Sequence, residues 1–447
     1  MDAADLLPMR KHGNNALFFD IGGTQSDPNV ISEQLQVLQR HSDLTPFSNL
    51  VFLIWPDAPV SEVLHDLVQS FECFSAKGYS FRRLIFHEYE TRDDSHLAVL
   101  QAACRHRLFR FLAVSSRVSD PANEATLYAL KDGMIMNEDL VEMDLYLEVP
   151  GASFGILGDG LSATKSLETL SIGFGSQEQN SSFQPTYSFL QGLKGNQTLQ
   201  SLTLRSLPTE AWTNQILEAL RDQPTLKSLS LIRSSWGNSS VEALGSLLSS
   251  PQCKISTLTL SDPSRVNREV LVENLPNVFR SNQSIESLGL RSFGLDDATL
   301  SKLWSELSAM KRLNSVDVSC NEIKSLMIIK SKVARLKHLD LWENPVLQLE
   351  ASQAETRNGL YEFLQLHPEL QFLGKSIAKS SCYSPKLQHL LDRNTNGRIL
   401  LSNGDDWGAH SSIWPSVLER ANRNLREHPV RQASVVYDLV RDLSASL

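Results

Sequence analysis

With 447 residues, 41 % of them hydrophobic and 21 % charged, the chain has the profile of a water-soluble folded protein, long enough for several ordinary domains or one extended array. A formal net charge of −9 argues against a uniformly basic face that would neutralise phosphates, so nucleic acid is not the expected partner. No apolar run approaches the length of about 18 residues that a membrane span needs.

In chain order, Met1 to Asn15 is polar and reads as a flexible N-terminus. It lacks the apolar core of a signal peptide, which predicts an intracellular, cytoplasmic or nuclear protein. Short apolar runs then begin at Ala16 (ALFFDI), Leu50 (LVFLIW), Phe81 (FRRLIF), Phe109 (FRFLAV) and Leu140 (LVEMDL). Between them lie apolar clusters at offsets of three and four, the spacing of one helix face: Leu35 with Leu38, Leu64 with Leu67, Val68 and Phe71, Leu97 with Leu100, and Leu127 with Leu130.

From Leu167 a sharper pattern appears, Leu-x-x-Leu-x-Leu. Its copies start at Leu167, Leu199, Leu226, Ile255, Ile285, Leu313 and Leu336, with gaps of 32, 27, 29, 30, 28 and 23 residues. Apolar alternation inside the signature predicts a strand. Upstream pairs such as Leu217 with Leu220, and Leu303 with Leu307, predict a short helix. A strand, a loop, a helix and a return cannot bury an apolar face alone, but stacked copies share one core. Residues 16–166 keep a similar period, so they read either as degenerate copies or as a small separate α/β domain. Residues 351–373 read as a C-terminal cap, 374–384 as a linker and 385–447 as a helical tail.

The signature, the period and the helical return together resemble leucine-rich repeats of the ribonuclease-inhibitor-like kind. That resemblance covers residues 167–350 clearly. It implies an α/β horseshoe solenoid with parallel strands on the concave face and helices on the convex face. The Asn that follows the family signature is present only as Asn321 and Asn344, and Leu207, Pro263 and Phe293 stand in its place elsewhere. The tail strings DRNTNGRILL and IWPSVLERANRN are similar to segments behind such repeats in algal proteins that have no assigned activity.

Chemistry is sparse. Cys73, Cys104, Cys253, Cys320 and Cys382 are scattered, with neither metal-site nor disulfide-framework spacing. Asp20-Ile21-Gly22-Gly23-Thr24 resembles the phosphate-binding opening of actin-like sugar kinases, but a loop and helix follow where those enzymes continue a hairpin. This leaves an enzyme with a site in the N-terminal region as a rival reading. Asp392, Asn394 and Asn396 open like a calcium loop, yet the twelfth position is Asn403 and the bidentate Glu is missing. No catalytic, cofactor-binding or metal-ligating residue is expected. The sequons at Asn180, Asn196, Asn238 and Asn282 are read as ordinary asparagines.

In each signature the non-apolar positions face away from the core. They carry mostly Ser and Thr, then larger groups beyond the strand. Arg205, Arg233 and Arg291 form a basic sector, while Asp317, His338, Asp340, Trp342 and Glu343 form an acidic and aromatic end. Arg and Trp are frequent hot-spot residues at interfaces. The expected function is therefore a non-catalytic scaffold that binds a protein partner of unspecified identity through the concave face. The alternative is a ubiquitin-ligase-type adaptor using the tail, where SPKLQHLLDR resembles the docking helix of such receptors without its usual Cys. Oligomeric state is not fixed by the sequence.

Overall fold

The computed structural model describes residues 17–21, 27–40, 50–54, 60–77, 81–89, 94–107, 109–116, 123–147, 153–174, 187–261, 268–280, 282–327, 329, 332–349, 354–367, 370 and 373. The expected flexible N-terminus, the linker, the helical tail, Gly22 to Thr24 and the calcium-like turn lie outside these residues. The chain divides into two compact units between Ile255 and Ser256.

In the first unit, strands and helices alternate without exception among the described residues. They run β1 (Leu17–Ile21), α1 (Pro28–Arg40), β2 (Leu50–Ile54), α2 (Val60–Ala76), β3 (Phe81–Tyr89), α3 (Asp94–His106), β4 (Phe109–Ser116), α4 (Asn123–Met136) and β5 (Glu142–Leu147). The run continues through α5 (Phe154–Ala163), β6 (Thr169–Phe174), α6 (Tyr187–Gly195), β7 (Ser201–Arg205), α7 (Glu210–Leu220), β8 (Ser228–Ile232) and α8 (Asn238–Ser249). Every pair from β1–β2 to β7–β8 is parallel and consecutive. A parallel neighbour requires a crossover, and each helix supplies it.

The first ladder settles one expectation. Asp20 pairs with Leu53 in parallel β1 and β2, with α1 as the crossover, so the hairpin of the sugar-kinase phosphate site is not formed.

In the second unit the order is β9 (Thr257–Ser261), α9 (Arg268–Phe279), β10 (Ser287–Arg291), α10 (Asp297–Leu307), β11 (Ser315–Asp317), β12 (His338–Asp340), α11 (Pro345–Leu349) and α12 (Ala354–Leu366). Its four strands are again parallel and consecutive. The 23-residue gap from Leu313 to Leu336 has a simple cause. Among the described residues between β11 and β12 no helix forms, and buried Ile323, Leu326, Ile329 and Val333 fill the core from turns instead.

The core follows the signature. Leu202 and Leu204, Leu229 and Leu231, Leu258 and Leu260, and Leu288 and Leu290 are all at most 1 % exposed, whereas the hydroxyl residues between most of them are half-buried on the open side of the sheet. Helix faces match for Leu217, Leu220, Leu303 and Leu307. In α2 the buried stripe is Val60, Val63, Leu67, Phe71 and Phe74, which turns Leu64 and Val68 toward half-exposed positions rather than into the core.

At several corners where a helix returns to a strand, a buried amide ties the chain together. Asn196 donates to Leu161 O at 2.7 Å and accepts from Leu199 N at 2.7 Å. Gln223 donates to Asn196 O at 2.8 Å, and in the second unit Asn282 accepts from Ile285 N at 2.9 Å. Asn196 and Asn282 are each 1 % exposed, so two of the four sequons serve as corner pins and are closed to glycan transfer in the folded chain.

Candidate functional site

The open face of the first-unit sheet is built in rows fixed by register. One row runs Arg83, Phe111, Glu142, Thr169, Ser201, Ser228 across β3 to β8. The next runs Ile85, Ala113, Asp144, Ser171, Thr203, Ser230. A third places Tyr146, Gly173, Arg205 and Ile232 side by side. Arg205 reaches back over β6 to Asp144, with its guanidinium 3.2 Å from Asp144 Oδ1. Gly173 makes room in this region, because a Cβ there would run into the Tyr146 ring. Farther along the sheet the Arg83 guanidinium lies 4.6 Å from the centre of the Phe111 ring, a cation–π geometry. On β6, the strand that the Arg205–Asp144 link crosses, Ser171 is 8 % exposed and its hydroxyl finds no hydrogen-bond partner among the described residues.

The second unit repeats the layout. Gly289, Asp317 and Asp340 share a row, as do Ser287, Ser315 and His338. Asp317 Oδ1 accepts from Ser319 N and Asp340 Oδ1 from Trp342 N, both at 2.9 Å, so each carboxylate folds the turn that leaves its own strand. Arg291 reaches over β11, and its guanidinium lies 5.1 Å from the centre of the Trp342 ring. Cys320 Sγ donates to Glu343 Oε2 at 3.0 Å. Burial, reinforced by that bond to Glu343, raises the thiol above its ordinary range, with Arg291 opposing. Raised in this way, the thiol is a poor nucleophile at neutral pH.

Six of the eight sequence-derived residues, Arg291, Asp317, His338, Asp340, Trp342 and Glu343, thus occur on the same three strands and the turns that leave them. Arg205 belongs to the first unit. Arg233 does not share its row, because the residue opposite Arg205 on β8 is Ile232. Arg233 lies one residue farther on, exposed, at φ 53° in the left-handed region. Ser206, Ser292, Cys320 and Glu343 occupy the equivalent left-handed position in their repeats. The N–H of Ser206 there bonds Ile232 O at 2.7 Å and that of Cys320 bonds Trp342 O at 2.7 Å, so this residue extends the ladder by one rung.

Sequence reasoning missed Arg83, Phe111, Asp144 and Tyr146. The signal was available: counted from Phe81, Phe109 and Leu140, they occupy the same columns as Ser201, Thr203 and Arg205. A cleft of about 380 Å3 lies at the opposite, strand-entry edge of the first unit, with Lys165, Lys227, Lys254 and Glu168 among its lining residues. Among the described residues no group of three or more His, Cys, Asp or Glu converges as metal ligands. No helix among them is long and apolar enough to cross a membrane.

The recurring strand–helix units, their parallel register and their leucine core define an α/β leucine-rich-repeat solenoid. No family model and no curated protein matches the chain. Solved structures with some likeness include a TLR13–ssRNA13 complex, at 13 % identity and a TM-score of 0.29, covering 79 % of this chain and 62 % of that one. The leucine-rich-repeat protein LIC12759 of Leptospira interrogans has 13 % identity and a TM-score of 0.30, with 83 % of this chain and 97 % of that one covered. Neither likeness transfers a residue role.

Proposed function

We propose that the chain is a non-catalytic scaffold that binds a protein partner through the open face of its parallel strands. The observation that carries this reading is the pair of strand-skipping arginines. Arg205 over β6 and Arg291 over β11 hold charged and aromatic groups on a ladder that is rigid in register. Arg and aromatic groups are the side chains that most often anchor an interface, and a backbone support of fixed register presents them at little cost in backbone ordering. The partner is a protein, and the location intracellular. Residues 16–166 belong to the same array as degenerate repeats of the ribonuclease-inhibitor-like kind. The consecutive parallel pairing of β1 through β8, with helical crossovers, supports that assignment.

The test compares proteins captured from native lysate by the full chain and by two variants, Arg291→Glu with Trp342→Ala, and Arg205→Glu. Capture of specific partners should fall about tenfold or more in at least one variant, the scale of a hot-spot loss. An identical partner set across all three proteins would overturn the reading.

A further inference from the structure

We infer that the first-unit sheet face takes a carboxylate of a protein partner between Arg205 and Ser171, with an apolar side chain of the same partner segment seated over β4. This rests on the reading of that face as the recognition surface. Three observations lead to it. Arg205 spends one guanidinium nitrogen on one oxygen of Asp144, and both side chains are 38 % exposed, so the link is wet and exchangeable. The guanidinium carries five N–H donors in a planar fork suited to a carboxylate. Ser171 lies on the strand that the link crosses, with a buried hydroxyl that has no hydrogen-bond partner among the described residues. A buried hydroxyl left unpaired is penalised, and a ligand that supplies an acceptor relieves the penalty. Donors are therefore in surplus at this spot, and a partner carboxylate that displaces Asp144 from Arg205 brings two acceptor oxygens to the strand where the covered Ser171 hydroxyl lies.

The neighbouring strands fix what accompanies the anion. Phe111 and Ala113 of β4, Ile85 of β3 and Tyr146 of β5 are half-buried on the same face. From β6 to β4 is two strand spacings, about 10 Å, which three residues of an extended segment span. The fitting partner segment carries an acidic residue about three positions from an apolar one. The lysines of the strand-entry cleft would draw carboxylates without that apolar requirement.

The test selects a displayed library of random seven-residue peptides on the immobilised full chain and measures the enriched peptides by fluorescence anisotropy. The expected sequences pair Asp or Glu with an apolar residue. Arg205→Ala should weaken them about tenfold, the loss of a charge-assisted pair. Ser171→Ala should weaken them about threefold while thermal stability holds or rises, because the hydroxyl makes no bond in the free protein. Asp144→Asn should tighten them, since a competing carboxylate is removed. Peptides without this acidic and apolar pairing, no enriched peptide at all, or acidic peptides lost only in Lys227→Glu with Lys254→Glu, would each overturn the inference. If peptides of other chemistry bind and are lost in Phe111→Arg, the face remains the recognition surface and only the carboxylate site falls. Binding indifferent to every face substitution would sink both.

Discussion

Asn321 shows what one buried amide does in this array. Its side chain accepts from Phe293 N and Leu295 N and donates to Leu290 O and Val318 O, so it stitches the turn after β11 to the one after β10. Asn321→Ala would leave two amide donors unpaired in the core and should cost about 2–4 kcal/mol, measured by urea unfolding. Ser234 fills the same place after β8, and its buried hydroxyl has no partner among the described residues. Ser234→Ala should be neutral or mildly stabilising in the same assay. Asn321 and Asn344 were legible because the signature reserves that position for Asn. His367 was not, since nothing in LHPEL marks a buried ring. It is 1 % exposed, its Nε2 accepts from Val333 N at 3.1 Å, and its Nδ1 lies 3.0 Å from Phe363 O. Burial lowers its pKa from 6.5 to about 4, with Lys332 helping and the bond to Phe363 opposing. The folded ring resists a proton that the unfolded chain accepts. Stability is therefore full above pH 6.5 and is lost as pH falls from there through about 4. The whole loss is about 3 kcal/mol at ~1.4 kcal/mol per pH unit. His367→Gln should flatten that acid limb in unfolding curves taken across this range.

At the level of elements, α5 and α6 are bound by glycine. A Cβ on Gly192 would run into the Gly158 carbonyl, and one on Gly158 into the Ser188 carbonyl, so the two backbones touch where side chains would hold them apart. Gly192→Ala should cost about 1–3 kcal/mol, the usual penalty of overpacking. Gly245, inside α8, meets nothing within 4 Å, so Gly245→Ala should stabilise by up to about 1 kcal/mol through helix propensity. Opposite shifts in thermal midpoint would separate close packing from a general intolerance of Ala. Glycine also explains why α5 was illegible: FGILGDGLSA carries an apolar stripe at Phe154, Leu157 and Leu161, but Gly155, Gly158 and Gly160 give it poor helix propensity, and packing against α6 decides it. The strands were easier, because strict alternation of Leu with Ser or Thr leaves a single register that buries the leucines. Columns therefore transferred from sequence to structure residue by residue, and Arg233 failed only because Leu231 is followed by Ile232 before it.

Across a whole unit, each repeat touches chiefly its sequence neighbours, so damage should spread by contact and fade with distance along the array. In the second unit the last described helix, α12, is held through Phe363 and His367 against Trp304 of α10, with ring centres 5.6 and 6.0 Å away. His367 also ties α12 to Val333 in the stretch where turns replace a helix. Protonating His367 removes the acceptor for Val333 N and puts a charge among aromatic rings. Acid should therefore open α12 and residues 332–336 before it reaches β9 and β10. Hydrogen exchange with mass spectrometry at pH 7 and pH 5, corrected for intrinsic rates, reads this directly. Protection should fall at pH 5 in 332–336 and 354–367 while 257–261 and 287–291 keep theirs, and His367→Gln should abolish the difference. A uniform loss across the unit would mean that it unfolds as one cooperative block, with His367 acting on all of it at once.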